Sequence, residues 1–219
     1  MNYGRVYVAM TAIGDTIYAT GGYSDASEVY PTIVESFTRT HGWVVEEEME
    51  LTVYRPAHCS VAIGSQLFII GGYVGSPASS NSVQSFDTSN KNGGWTDRQP
   101  LKTDRYGHAC QVAKFENQEG IFVSGGRQTV IAQDFHVLSS VEFYVPSTGQ
   151  WRSLGSLQGA REYHSMGFVG MEMVVAGGYP GPKTSIETLN GTAWNKRGDL
   201  EAKRGGQATI IFPSSLLQC

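Results

Sequence analysis

Apolar and polar positions alternate along this chain in short runs, each closed by turn residues. Val6 to Ile13, Thr16 to Thr20, Ile33 to Thr38 and Trp43 to Glu47 are rich in β-branched and aromatic side chains, and Gly14-Asp15 punctuates the first two. Such runs predict half-buried strands of period two. No segment keeps a 3.6-residue apolar spacing over three turns, so helices are expected to be few and short.

The four-strand pattern recurs. It is cleanest from Arg161 through His164, an apolar run, Gly177-Gly178-Tyr179 and Ser185-Ile186-Glu187 to Trp194 and Leu200. The same order runs from Arg55 through His58, Gly71-Gly72-Tyr73 and Ser82-Val83-Gln84 to Trp95 and Leu101. It runs again from Arg105 through His108, Gly125-Gly126 and Ser140-Val141-Glu142 to Trp151 and Leu157. Arg5, Gly21-Gly22-Tyr23, Val34-Glu35 and Trp43 open the chain in the same way. The double glycines lie 50, 54 and 52 residues apart, a period that marks arrays of repeated sheets. Arg precedes the first glycine by 16 residues in repeats one, two and four, and by 20 in repeat three, where the extra residues fall at Glu116 to Gly120. Variation confined to loops points to one domain over 1–219, with repeats near 1–51, 52–101, 102–157 and 158–200.

Physical roles follow for the repeated residues. Paired glycines admit a close neighbour and backbone angles closed to other residues. One Trp per repeat supplies a plate for packing one sheet on the next. Glu46-Glu47-Glu48 and Glu50 read as a solvated acidic edge.

Composition narrows the partners. A formal charge of −4 with scattered Lys and Arg argues against a nucleic-acid surface. No run of about 18 apolar residues exists to span a membrane as a helix. Cys59, Cys110 and Cys219 form an odd set without metal spacing, which tilts the compartment towards a reducing, cytoplasmic one as the chain stands. An extracellular setting follows instead if a signal lies upstream of Met1-Asn2-Tyr3-Gly4-Arg5. Asn190-Gly191-Thr192 matches a glycosylation sequon, a pattern that chance often produces.

Arg, an apolar strand, Gly-Gly, a Glu-bearing strand and a trailing Trp, four times in register, resemble the kelch repeat. The resemblance implies an all-β propeller of four-stranded antiparallel blades, with strand a lining a central channel and strand d outermost. It also implies a module that binds another protein, as ubiquitin-ligase substrate adaptors and actin-associated scaffolds of the family do. The alternative it carries is a sugar-acting enzyme of the galactose oxidase or sialic acid epimerase type. Three departures stand out: Val8 replaces the His in repeat one, Gln84 replaces the Glu in repeat two, and the Asp-Pro after strand c is missing.

Topology selects a face for binding. With strand a running down, the b–c and d–a connections share one rim, so Arg5, Arg55, Arg105, Arg161 and Arg204 lie there near the channel mouth. The stretch after Gly125-Gly126 is long and carries Arg127, Gln128, Asp134, Phe135 and His136, expected as a loop projecting from that rim. Two readings of the arginines stand: donors for an acidic segment of a partner, or pairs with strand-c carboxylates such as Glu35, Glu142 and Glu187 that tie blades together. His58, His108 and His164 share a register but belong to separate repeats, which favours packing over a metal centre. No nucleophile elbow, phosphate-cradling loop, cofactor motif or copper constellation emerges, so neither a catalytic residue nor a cofactor is assigned. Finally, Gln207 to Phe212 reads as a lone strand opening a fifth repeat at 204–212. Seventeen strands do not close a ring of four-stranded blades. An open arc with an exposed edge, able to self-associate, is the expectation.

Overall fold

The computed structural model describes residues 1–24, 32–75, 78–131, 134–169, 172–180 and 183–206. Four antiparallel sheets of four strands follow one another as blades. Blade one contains β1 (Ala9–Ile13), β2 (Thr16–Thr20), β3 (Val34–Thr38) and β4 (Gly42–Val45). Blade two contains β5 (Cys59–Ile63), β6 (Gln66–Ile70), β7 (Val83–Asp87) and β8 (Trp95–Arg98). Blade three has β9 (Ala109–Phe115) and β10 (Gln118–Ser124), then a separate ribbon of β11 (Arg127–Ile131) and β12 (Asp134–Val137), then β13 (Val141–Val145) and β14 (Gln150–Leu154). Blade four contains β15 (Ser165–Val169), β16 (Glu172–Ala176), β17 (Lys183–Asn190) and β18 (Ala193–Arg204). Blades one, two and four are meanders, with neighbours in space also neighbours in sequence, and in blade three β10 pairs with β13 across the inserted ribbon.

Several boundaries differ from the sequence reading. The first strand begins at Ala9, because Tyr7 adopts a left-handed φ of 55° that breaks the extended run after Val6. Strand d of blade one stops at Val45, and Glu47–Met49 forms a 3-10 turn. Glu46 is not part of a solvated edge: it is buried, accepts from the Ser36 hydroxyl at 2.5 Å, and pairs with Lys91 of blade two. The stretch after Gly125-Gly126 is a β-ribbon rather than a loop. Arg204 ends β18, opposite Lys183, instead of opening a new strand. The lone strand expected at 207–212 lies outside the described residues, as does Cys219.

Packing between blades makes the core. Tyr18, Met49 and Leu51 of blade one meet Leu67, Ile69 and Phe86 of blade two. Phe68, Ile70 and Val83 meet Ile121, Tyr144 and Trp151 across the next seam. Phe143 and Val145 meet Met166, Met173, Val175 and Trp194 across the third. The tryptophans anchor these seams: the Trp95 indole donates to the Met49 carbonyl at 3.0 Å, and that of Trp151 to the Gln99 carbonyl at 2.8 Å. Trp43 is half-buried and meets Phe37 at a tilt, 5.3 Å between centroids. Inner strands β1, β5, β9 and β15 pack successively, and β15 makes no comparable contact with β1. Among the described residues the blades form an open arc.

Candidate functional site: the channel rim

The arginine column turns inward. The guanidinium groups of Arg5, Arg105 and Arg161 are fully enclosed and pair with Glu35, Glu142 and Glu187 of their own blades. Arg105 also donates to the carbonyls of Gly125 at 2.8 Å and Ser140 at 3.2 Å, and Arg161 repeats this with Gly177 and Ser185 at 2.9 and 3.1 Å. The carboxylates in turn accept backbone N–H groups just before the arginine: Lys102 to Glu142 at 2.8 Å, and Gln158 to Glu187 at 2.7 Å. Buried charges survive when paired and hydrogen-bonded in this way. These arginines therefore hold the d–a link of each blade in place, and the expectation of a donor ring facing an acidic partner is corrected. The tie also lies within a blade, not between blades.

Blade two reaches the same end differently. Arg55 is buried opposite Gln84, whose carbonyl oxygen accepts from it at 3.2 Å, and the Gln84 amide passes the bond on to Asp97 at 2.8 Å. The balancing carboxylate has moved one strand outward.

Backbone groups make the links between blades. The N–H of Gly72 donates to the carbonyl of Arg105 and that of Gly126 to Arg161, at 2.9 and 2.8 Å, and Gly178 makes the same bond to Arg204 inside blade four at 2.8 Å. A Cβ on Gly21 would lie 2.9 Å from both the Arg55 carbonyl and the His58 ring, so the first glycine of the pair is fixed by this approach as well as by its φ of 58°. The histidines bridge the same seam. His58 reaches the Thr20 hydroxyl at 2.7 Å and His164 the Ser124 hydroxyl at 2.8 Å. His108 meets Ile70 in the equivalent place, where the side chain offers no oxygen. Burial pushes His58 down to about 4 and His164 to about 3, and holds His108 well below the usual range. All three are neutral at physiological pH and act in packing. Among the described residues no cluster of three or more His, Cys, Asp or Glu side chains forms a metal centre.

Two residues after each arginine the backbone turns left-handed: Tyr7 (55°), Ala57 (55°), Gly107 (60°), Tyr163 (49°) and Gly206 (70°). These positions form a collar of hydrogen bonds around the mouth: Ala57 donates to Tyr7, Gly107 to Ala57, Tyr163 to Gly107 and Gly206 to Tyr163, at 2.6 to 3.0 Å. Above the collar lies a well of about 380 Å³ walled by Tyr7, Tyr23, Tyr73, Tyr106 and Tyr163 over Pro56 and Ala57. Tyr7 and Tyr163 lie 5.8 Å apart between centroids, and Tyr73 meets Tyr106 edge-on at 5.6 Å.

The ribbon stands beside this well. Arg127 binds Glu162 with two nitrogens, Nε at 2.7 Å, and lies 3.9 Å above the Phe135 ring and 6.0 Å from that of Tyr106. Gln128 donates to Asp104 at 2.7 Å, and Asp104 also accepts from Ser79. Phe135, His136 and Arg204 are exposed. The sequence reading thus singled out Arg127, Gln128, Phe135 and His136, expecting them on a loop, and missed the tyrosines. Their signal was present: Tyr follows Gly-Gly at Tyr23, Tyr73 and Tyr179, and Tyr7 and Tyr163 share one register after Arg.

Below the collar the inner strands enclose a channel of about 400 Å³ lined by Thr11, Ser60, Gln111 and Ser165 among others. Cys59 and Cys110 line it too, joined in a disulfide between β5 and β9. With two of the three cysteines paired, the inclination towards a reducing compartment loses its premise.

Repeated Arg–Glu pairs, double glycines and seam tryptophans on four-stranded blades define a kelch-repeat propeller. The Attractin/LZTR1 beta-propeller family model matches residues 2–195, and the chain belongs to that family. Alpha-scruin of Limulus polyphemus is 25% identical over 199 residues, which cover 87% of this chain and 20% of that protein. The chain therefore spans about a fifth of that relative. A solved structure titled "Structure of YjhT" superposes with a TM-score of 0.74 and 16% identity over 92% of this chain and 67% of the other, a likeness of fold alone.

Proposed function

We propose that this chain is a protein-binding module that meets its partner on the b–c rim, across the tyrosine well and the β11–β12 ribbon. The observation that carries the reading is the concentration of exposed apolar side chains there: Val6, Tyr7, Val130, Phe135 and Tyr179. Clustered exposure of this kind marks interaction surfaces, and aromatic anchors dominate binding energy in such patches. The ionised groups nearest the well, Arg127 and Glu162, neutralise each other. A sugar-acting enzyme would use convergent charged side chains at the mouth, so this neutrality favours binding. The polar margin of the partner surface is Gln128, His136 and Arg204.

The test is affinity capture with the wild-type chain and two rim variants, Tyr7→Ala and Phe135→Asp. A partner retained by the wild type should be lost by both, and kept by an Asn117→Ser control in the a–b turn on the opposite rim. Undiminished capture by both rim variants would refute the assignment of this face.

A further inference from the structure

Tyr7 and Tyr163 hold bulky side chains in a left-handed backbone conformation, at a position that Gly107 and Gly206 fill without strain. Strain of this sort persists where the surrounding structure or a function demands it. No packing demand is evident for Tyr7, which is 57% exposed. What the two rings do is complete the wall of the well begun by Tyr23, Tyr73 and Tyr106.

We infer that the tyrosine well is a binding site for an extended proline-rich segment of the partner protein. The inference rests on the rim assignment above and names the chemistry of what that rim takes. Three properties point to this ligand class. First, the walls are flat aromatic faces and edges over Pro56 and Ala57, apolar surfaces suited to proline rings. Second, a polyproline helix has no internal hydrogen bonds and no N–H at its prolines, so it presents unpaired carbonyls. Phenol hydroxyls donate to such carbonyls, and burial holds Tyr106 and Tyr163 above the usual phenol range, so both stay protonated. Third, a charged peptide finds no uncompensated counter-charge, because Arg127 and Glu162 satisfy each other. A volume of about 380 Å³ accommodates a few residues rather than a folded element.

Fluorescence anisotropy on the full chain tests this with three labelled probes: decaproline, an oligoglutamate and a trimethyl-lysine peptide. Decaproline should bind saturably and the other two should not. Tyr7→Gly and Tyr73→Ala should each weaken that binding at least tenfold. Tyr7→Gly should at the same time leave the melting midpoint unchanged or raise it, since glycine relieves the backbone. A structural role for Tyr7 would give a lower midpoint instead. Absence of saturable decaproline binding, preference for either charged probe, or indifference to both substitutions would overturn the inference. If decaproline fails while Tyr7→Ala and Phe135→Asp still abolish partner capture, only the ligand class falls. If capture is also indifferent, the rim assignment falls with it.

Discussion

At Arg55 a single replacement shows how a buried charge is tolerated. Gln84 cannot balance the guanidinium, so it relays to Asp97. Gln84→Glu alone would set two carboxylates side by side, and Asp97→Asn alone would strand the cation. The double variant restores the arrangement at Arg105. A double-mutant cycle by urea denaturation should therefore give a favourable coupling of about 1 kcal/mol or more; additive effects would remove the relay. The histidines make a second prediction. Folded His58 and His164 resist protonation until about pH 4 and 3, whereas the unfolded chain takes up protons from about pH 6.5. Stability is then full above pH 7 and falls through the window from about 6.5 to 4, by up to about 1.4 kcal/mol per pH unit for each histidine. His108→Leu should lessen the slope and cost little, because the ring it removes has no hydroxyl partner. Denaturation midpoints at pH 7.5, 6 and 5 would decide. Much of this scale was legible: Glu35, Glu142 and Glu187 were named as one choice of arginine partner from register alone. The Gln84 relay was not, because Asp97 belongs to no repeated pattern.

The strands were readable as elements because every period-two run is bounded by glycine or polar turns. Their ends were less so. Val6 to Ile13 reads as one strand, since no hydrophobic pattern reveals that Tyr7 turns left-handed. The β11–β12 ribbon hid for a related reason: its side chains contact Asp104, Glu162 and Tyr106 on other segments, so its order comes from the rim rather than from its own alternation. Among the elements the seam tryptophans are the best test of packing. Trp151 is 6% exposed and joins Tyr144 at 5.0 Å. Trp151→Ala should cost roughly 3–5 kcal/mol, and an unchanged urea midpoint would remove it from the core. Trp43, only half-buried, should cost clearly less when truncated.

For the molecule as a whole, the repeat spelled out the blades and their order, while the cross-blade cysteines were invisible in a count that came out odd. Cys59 and Cys110 are separated by 51 residues with Cα atoms 6.1 Å apart. Loop-closure entropy for such a span amounts to about 4 kcal/mol, and measured values often fall below it. Cys59→Ser with Cys110→Ser should lower the thermal midpoint in non-reducing buffer, and adding reductant to the wild type should reproduce the shift. Equal midpoints would mean that the bond contributes nothing.

That covalent stitch sits at the middle of three seams. The outer two rely on side-chain packing and hydrogen bonds such as Thr11 to Ser60 at 2.5 Å and His164 to Ser124. An arc built this way behaves like a bow with a stiff grip and pliant limbs. Under load or thermal agitation, blades one and four should swing while blades two and three move as a single body. Tyr7 and Tyr163 sit on those two limbs, so the width of the well would follow their swing.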